Sequence, residues 1–274
     1  MRDRESLRSV FLNYAERYDA KNGMIRHKIE HTFRVAELSE RYADAQGVGA
    51  EDAAWAWFFG LLHDIGRFEQ VRRFGTFVDS QSVDHAELGA DILFVDGLIE
   101  AFSVDEPART WMATAEQVIR LHNKLTLPEA LDARTRRFAE ILRDADKTDI
   151  FRVVADIPFE ERIGSSRASF AEAGEASPEV MACVAEHRCV PGQLRHSRFD
   201  GLIAHGCMAF ELVFDVSRRT VKEEGWLRKL LSDVDASGKP VWTGREAEQL
   251  AVLRNEIEKA WGMTLQGPPK EEQP

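Results

Sequence analysis

Ten uncharged residues, Ala53 to Leu62, include Trp55, Trp57, Phe58 and Phe59 and lead directly into His63-Asp64. A helix apolar on nearly every face is a buried helix, so this run predicts a central helix over about 51–65, with Gly66 placed to end it and His63 and Asp64 in its last turn. Elsewhere the apolar positions recur at helical spacing. Leu7, Val10, Phe11, Tyr14 and Tyr18 predict a helix over 3–19. His31, Val35, Leu38 and Tyr42 share one face of a helix over 24–46, which Gly47 stops. His85 heads a face carrying Leu88, Ile92 and Val95, where Gly89 permits a close helix approach. Trp111, Ala115, Val118 and His122 form another stripe after a start at Pro107, and Ala139, Leu142 and Asp146 align on a helix over 135–149.

Beyond it, residues 156–200 hold Pro158, Gly164, Ser165, Ser166, Gly174, Pro178, Pro191 and Gly192 and predict short helices and loops. A buried helix returns over 200–216 through Leu202, Ala209, Val213 and Phe214, followed by amphipathic helices over 218–234 and 244–261. No alternating run or hairpin signal marks a sheet, and no repeat is visible. The fold class expected is all-α, with one domain over 1–264 and a disordered tail over 265–274.

Composition narrows the partners. The 274 residues are 44% hydrophobic, enough for a substantial core, and carry a formal net charge of -11. That charge argues against a nucleic-acid polymer or an anionic membrane as partner, because both require a basic footprint; a small anionic substrate needs only a local basic patch. No apolar run is long enough to span a bilayer and none follows Met1, so a soluble cytoplasmic protein is expected. Cys183, Cys189 and Cys207 are odd in number and lack CxxC spacing, and are read as small buried hydrophobes. Nothing in the chain fixes the oligomeric state.

Burying the imidazole and carboxylate of His63-Asp64 is costly unless something compensates, and a metal ion is the usual compensation. Four further candidates, His31, His85, His122 and Asp146, lie on the apolar stripes of their own helices. One histidine on such a stripe is more often a hydrogen-bonded core residue; six groups together make a constellation. Imidazole nitrogens and carboxylate oxygens suit Mn, Fe, Co, Ni or Zn better than Ca. Adjacent helical side chains diverge by about 100°, so His63 and Asp64 either approach one metal from opposite sides or Asp64 bridges two. Cations beside these ligands that suit phosphate oxygens are Arg26, Lys28, Arg67 and Lys147, with Lys147 the first choice and a surface pairing with Asp144 or Asp149 its bland alternative. Arg72 and Arg73 are read as a solvated loop, and the polar loop Gly75 to Val83 as a lid or rim. Glu30 and Asp149 are candidates for orienting ligand imidazoles. His187, Arg188, Arg195, His196 and Arg198 are read as a solvated surface, with a substrate rim as the alternative, and His205 as a core or pocket histidine.

The words LLHDIGRFEQ around the doublet, DHAELGADIL around His85 and RDADKTD around Asp146 resemble the HD-domain superfamily of metal-dependent phosphohydrolases, over about 20–150. The resemblance implies a helical bundle around a buried metal site, and so an HD-type domain with a helical C-terminal extension over about 151–264. It implies a first metal site of His31, His63, Asp64 and Asp146. His85 and His122 match those relatives that bind a second ion, with Asp64 as the bridge. The expected enzyme is therefore a phosphomonoesterase or phosphodiesterase holding two divalent transition-metal ions. A metal-bound hydroxide would attack a small phosphorylated or nucleotide substrate, with Asp64, Lys147 and Arg67 as the catalytic set. His122 is followed by Asn123-Lys124-Leu125 instead of a second histidine and Gly-Tyr-Pro, so activity on cyclic di-GMP is not expected. The same ligand order serves myo-inositol oxygenase and a relative that cleaves a carbon-phosphorus bond, which makes a mixed-valence di-iron oxygenase the alternative. A non-catalytic binding module is the second alternative.

Overall fold

The computed structural model describes residues 3–19, 21–102, 111–156, 174–232 and 242–265. It is all-α, with no strand among those residues. The chain forms two compact units, Met1–Asp146 and Lys147–Pro274. No helix among the described residues is long and apolar enough to cross a membrane.

The first unit contains α1 (Arg4–Ala15), α2 (Gly23–Ala45), α3 (Ala50–Leu62), α4 (Ile65–Phe74), the short α5 (His85–Ala90) and α6 (Met112–Leu121), and α7 (Ala133–Asp156) starts within it. Side-chain caps set several starts: Asp3 accepts from Ser6 N, Asn22 from Met24 N, and Asp84 from Ala86 N and Glu87 N. Each satisfies backbone donors that a helix start leaves open.

α3 is buried from Ala53 to Leu62 except at Ala54, as its apolar run predicts. Aromatic contacts tie the other helices to it or its continuation. Trp55 stacks on Trp111 at 4.7 Å, Phe59 meets Phe138 of α7 edge-on at 5.2 Å, and Phe11 of α1 meets Phe68 of α4 at 5.7 Å. Two close approaches fix the spacing. A Cβ on Gly60 would lie 2.6 Å from Ala36 Cα in α2, and one on Gly66 would lie 2.2 Å from His85 O and 2.6 Å from Gly89 N.

This second approach corrects the reading of Gly66 as a helix stop. α3 already ends at Leu62, Asp64 leaves the helical region at φ -103°, ψ 15°, and α4 begins at Ile65. Gly66 lies inside α4 because α5 crosses there. The glycine that ends α4 is Gly75, in the left-handed conformation at φ 66°. Arg72 and Arg73 are thus on a helix, not a loop; both are solvated and both pair with Glu69. The stripe read through Leu88, Ile92 and Val95 also fails. Packing of Gly89 against Gly66 turns His85, Ala86, Gly89, Ala90 and Leu93 inward, a π-type turn follows over Asp91–Val95, and Val95 is exposed. The Trp111, Ala115, Val118 and His122 stripe is buried as expected; the start proposed at Pro107 lies outside the described residues.

The second unit, described by itself, holds the end of α7, α8 (Pro178–Ala185), α9 (Arg198–Cys207), α10 (Asp215–Glu223), α11 (Trp226–Leu230) and α12 (Gly244–Trp261). Its core includes Phe151, Val180, Phe199, Ile203, Leu227, Leu253 and Trp261. Ser197 and Asp200 form a reciprocal capping box at the start of α9. α9 ends at Cys207, so the helix expected over 200–216 is shorter and Val213 is exposed. Left-handed Gly225 separates α10 from α11 within the helix expected over 218–234, whose last residues lie outside the description. Cys183 and Cys207 are buried and all three cysteines are free thiols. Arg188, Arg195, His196 and Arg198 are exposed, as read. His187 pairs with Glu256 at 2.6 Å and stacks on Phe210. Leu265 is buried, and the remainder of the proposed tail lies outside the description.

Two predictions follow from this packing. Gly66→Ala forces a methyl group into the backbone of α5 and should destabilise by roughly 2–3 kcal/mol, whereas Gly201→Ala, inside α9 with nothing within 4 Å of the added Cβ, should stabilise by about 0.5–1 kcal/mol. Denaturant unfolding of the two variants checks the opposite signs. The second concerns Glu69, which hydrogen bonds with Arg72 hold down to a pKa of about 2, against opposing burial and with help from Arg73. A folded pKa below the unfolded value near ~4.3 gives stability that is present above that value and lost as pH falls toward 2. Because both arginines are more than half exposed, Glu69→Gln should cost only about 1–2 kcal/mol at pH 7. The difference from wild type should vanish near pH 2 in acid unfolding curves.

Candidate metal centre

His63 and Asp64 sit at the break between α3 and α4, and this break is what allows neighbouring residues to face one point. His63 caps the end of α3 and donates from Nδ1 to Gly60 O at 2.7 Å, so its Nε2 carries the lone pair. That Nε2 is buried, has no hydrogen-bond partner, and lies 3.3 Å from Asp64 Oδ2. His31 of α2 brings its Nε2 to 3.4 Å from the same oxygen and to 3.1 Å from Asp146 Oδ1 of α7. His63 Nε2 is 3.7 Å from that Asp146 oxygen.

The other oxygen of Asp64 faces a second pair. His85 Nε2 is 3.6 Å and His122 Nε2 3.8 Å from Asp64 Oδ1, and the two ring nitrogens are 3.0 Å apart. His122 repeats the arrangement of His63, capping its helix and donating from Nδ1 to Ile119 O at 2.7 Å. His85 uses Nδ1 toward Asp79 Oδ2 at 2.6 Å. With both Nδ1 atoms committed to acceptors, two Nε2 lone pairs point into one space, an arrangement a cation relieves.

The electrostatics agree with this. Burial raises the Asp64 carboxyl, but the Lys28 ammonium and His63 beside it bring it well below the usual range. Asp146 is likewise raised by burial and brought well below that range by His31 and His63. Burial, then the nearby charge of Arg67, pushes His85 down; burial, then His85 and His63, pushes His122 down. The carboxylates are ionised and these rings neutral, the protonation states that metal binding requires.

The structure therefore brings all six sequence candidates together. The groups His31–His63–Asp64 and Asp64–His85–His122 are each able to hold a metal ion, and Asp146 closes on the first. Their separations run from 3.0 to 3.8 Å, at or a few tenths of an ångström above the roughly 3.0–3.4 Å between neighbouring ligand atoms that bonds of about 2.1 Å give. The donor set therefore fits divalent transition metals.

The candidate cations divide. Lys28 Nζ is 2.5 Å from Asp64 Oδ2, and Arg67 Nε, buried without a hydrogen bond, is 3.6 Å from Asp64 Oδ1. Phe77 packs between them, 5.4 Å from Lys28 Nζ and 5.5 Å from Arg67 Cζ. Arg26 is exposed. Lys147, the first choice from sequence, falls in the second unit and pairs with Glu211 at 2.9 Å, not with Asp144 or Asp149. Glu30 is exposed near Arg34 and is no partner of a ring that the structure describes; Asp149 also falls in the second unit. The groups that orient His63, His85 and His122 are two carbonyls and Asp79. Sequence reasoning missed them because carbonyls leave no residue signature and Asp79 lies in a loop without periodicity.

A buried histidine–aspartate cluster between helices, built on a His-Asp doublet, defines an all-α protein with a candidate metal site. Residues 29–150 match the HD domain. No curated protein and no solved structure matches the chain. HD domains bind divalent metals and are generally metal-dependent phosphohydrolases.

The arrangement predicts about two ions per chain by elemental analysis after purification without chelator. The His85→Ala, His122→Ala double variant should retain about one. A wild-type value of one, unchanged by the double substitution, contradicts a second ion.

Proposed function

We propose that the protein is a phosphohydrolase, phosphomonoesterase or phosphodiesterase, using two divalent transition-metal ions on a small phosphorylated or nucleotide substrate. The observation that carries the reading is the division of the Asp64 carboxylate: His31 and His63 face one oxygen, and His85 and His122 face the other. His31, His63, Asp64 and Asp146 would hold one ion, and Asp64, His85 and His122 the other. When bound, such ions supply Lewis acidity and make a water ionisable near neutral pH.

The protein's own groups supply the rest. His63 and His122 are locked by their carbonyl partners, so their nitrogens reach the site already oriented. Two cations adjoin the enclosed pair: His63 and Asp64 are almost wholly buried, whereas the Lys28 and Arg67 side chains beside them retain 17% and 15% exposure. A phosphate group arriving beside these cations would meet an ammonium and a guanidinium, which neutralise charge that grows on its oxygens as water adds to phosphorus and the ester P–O bond breaks. The ester oxygen departs as an alcohol after taking a proton. Of the four cations the sequence reading offered for this role, Arg26, Lys28, Arg67 and Lys147, the two beside Asp64 are Lys28 and Arg67. The overall negative charge of -11 disfavours nucleic-acid polymers, so a small substrate fits best.

Turnover of generic phosphate esters in isotopically labelled water tests the reading. The label should appear in the released phosphate, activity should persist without oxygen, and Asp64→Ala should abolish turnover and sharply lower metal retention. Strict oxygen dependence with label entering only from dioxygen would instead mark an oxygenase on the same ligand set.

A further inference from the structure

Asp79 lies six residues before His85, on a 3-10 turn over Asp79–Gln81 in the loop that follows α4. Its two oxygens serve different elements. Oδ2 accepts from His85 Nδ1 at 2.6 Å and from Asn123 Nδ2 at 3.3 Å. Oδ1 accepts from Arg67 Nη1 at 2.9 Å and Gln70 Nε2 at 2.8 Å. Gln70 is buried in α4 and also donates to Ser82 Oγ at 2.9 Å and Val83 O at 3.0 Å, so it clamps both ends of the turn. The carboxylate acts only as an acceptor, with donors on His85, Asn123, Arg67 and Gln70 around its two oxygens.

We propose that Asp79 is the positioning residue for the second ion, setting the tautomer and direction of His85 from a turn that Gln70 holds in place. The inference rests on the two-ion reading above and assigns Asp79 to one of the two ions. The contrast among the rings supports it. His63 and His122 are oriented by carbonyls three residues earlier on their own helices, which helix formation supplies automatically. His85 is the first residue of α5 and has no preceding helical turn to supply such a carbonyl. Its orientation must come from outside the helix, and Asp79 provides it. A carboxylate can accept from His85 on one oxygen and from Gln70 and Arg67 on the other. An amide cannot, because whichever way it turns, its NH2 meets a donor. Asp79→Asn therefore keeps the shape of the turn and removes the function.

The test is Mn2+ titration of the full chain, with the second step identified as the one that His85→Ala removes. Asp79→Asn should weaken that step by about 10–100-fold, the range for partners of metal-ligating histidines, and change the other step far less. Gln70→Leu should weaken the same step to a smaller extent, and should add nothing in the Asp79→Asn background, since it acts only through Asp79. In metal-free protein, 15N shifts of the His85 ring should report a proton fixed on Nδ1 in wild type and a tautomer mixture in Asp79→Asn. Equal weakening of both steps, an unchanged second step or an unchanged His85 tautomer overturns the proposal, as does a wild-type chain that binds only one Mn2+. Absence of phosphate-ester turnover would remove the hydrolase reading while the Mn2+ and tautomer results still decide the role of Asp79.

Discussion

Asp64 brings a negative charge into an interior where an unpaired carboxylate is strongly disfavoured, and the surrounding structure is arranged around that charge. Four imidazole nitrogens lie within 3.8 Å of its two oxygens, Lys28 contacts one oxygen, and Arg67 approaches the other. Placing Asp64 there requires a break after α3, because a continuous helix would swing the carboxylate away from the ring of His63. The break in turn requires α5 to cross α4 at Gly66 and Gly89, which brings His85 to the second oxygen. Trp55 and Phe59 then hold the helices bearing His122 and Asp146 against α3. Packing and site are therefore one problem: the same contacts that bury the aromatic core set the spacing of the nitrogens.

The parts of this arrangement that repeat along a helix were legible in the sequence. His31 and His122 follow the inward stripes of α2 and α6, and the uncharged run before His63 marked a helix buried on all sides. What escaped was tertiary in origin. Gly66 carries the usual signal of a helix end, yet its lack of a side chain is needed for the crossing of another helix, and sequence does not distinguish the two uses. The inward face of α5 is set by small residues packing against α4, so the larger apolar side chains Leu88, Ile92 and Val95 pointed to the wrong face. Asp79 has no periodic context at all, and carbonyl partners such as those of Gly60 and Ile119 are independent of side-chain identity. Among the cations, adjacency to Asp146 singled out Lys147, but successive residues on a helix point in different directions, and Lys147 pairs with Glu211 instead.

The division of the chain bears on where function resides. Every residue of the candidate metal centre, Asp146 included, falls within Met1–Asp146, and the HD-domain match covers 29–150. The second unit has its own aromatic and aliphatic core and its own capped helices.

The central claim of the proposed function is that one carboxylate would join two metal ions, one on each oxygen. Electron paramagnetic resonance of the Mn2+-loaded protein addresses it most directly, because ions bridged by a carboxylate are magnetically coupled and separate ions are not. The account predicts a coupled spectrum for the wild type that gives way to that of isolated Mn2+ when Asp64 is replaced by asparagine. A wild-type protein carrying two Mn2+ ions with the spectrum of isolated ions would contradict it.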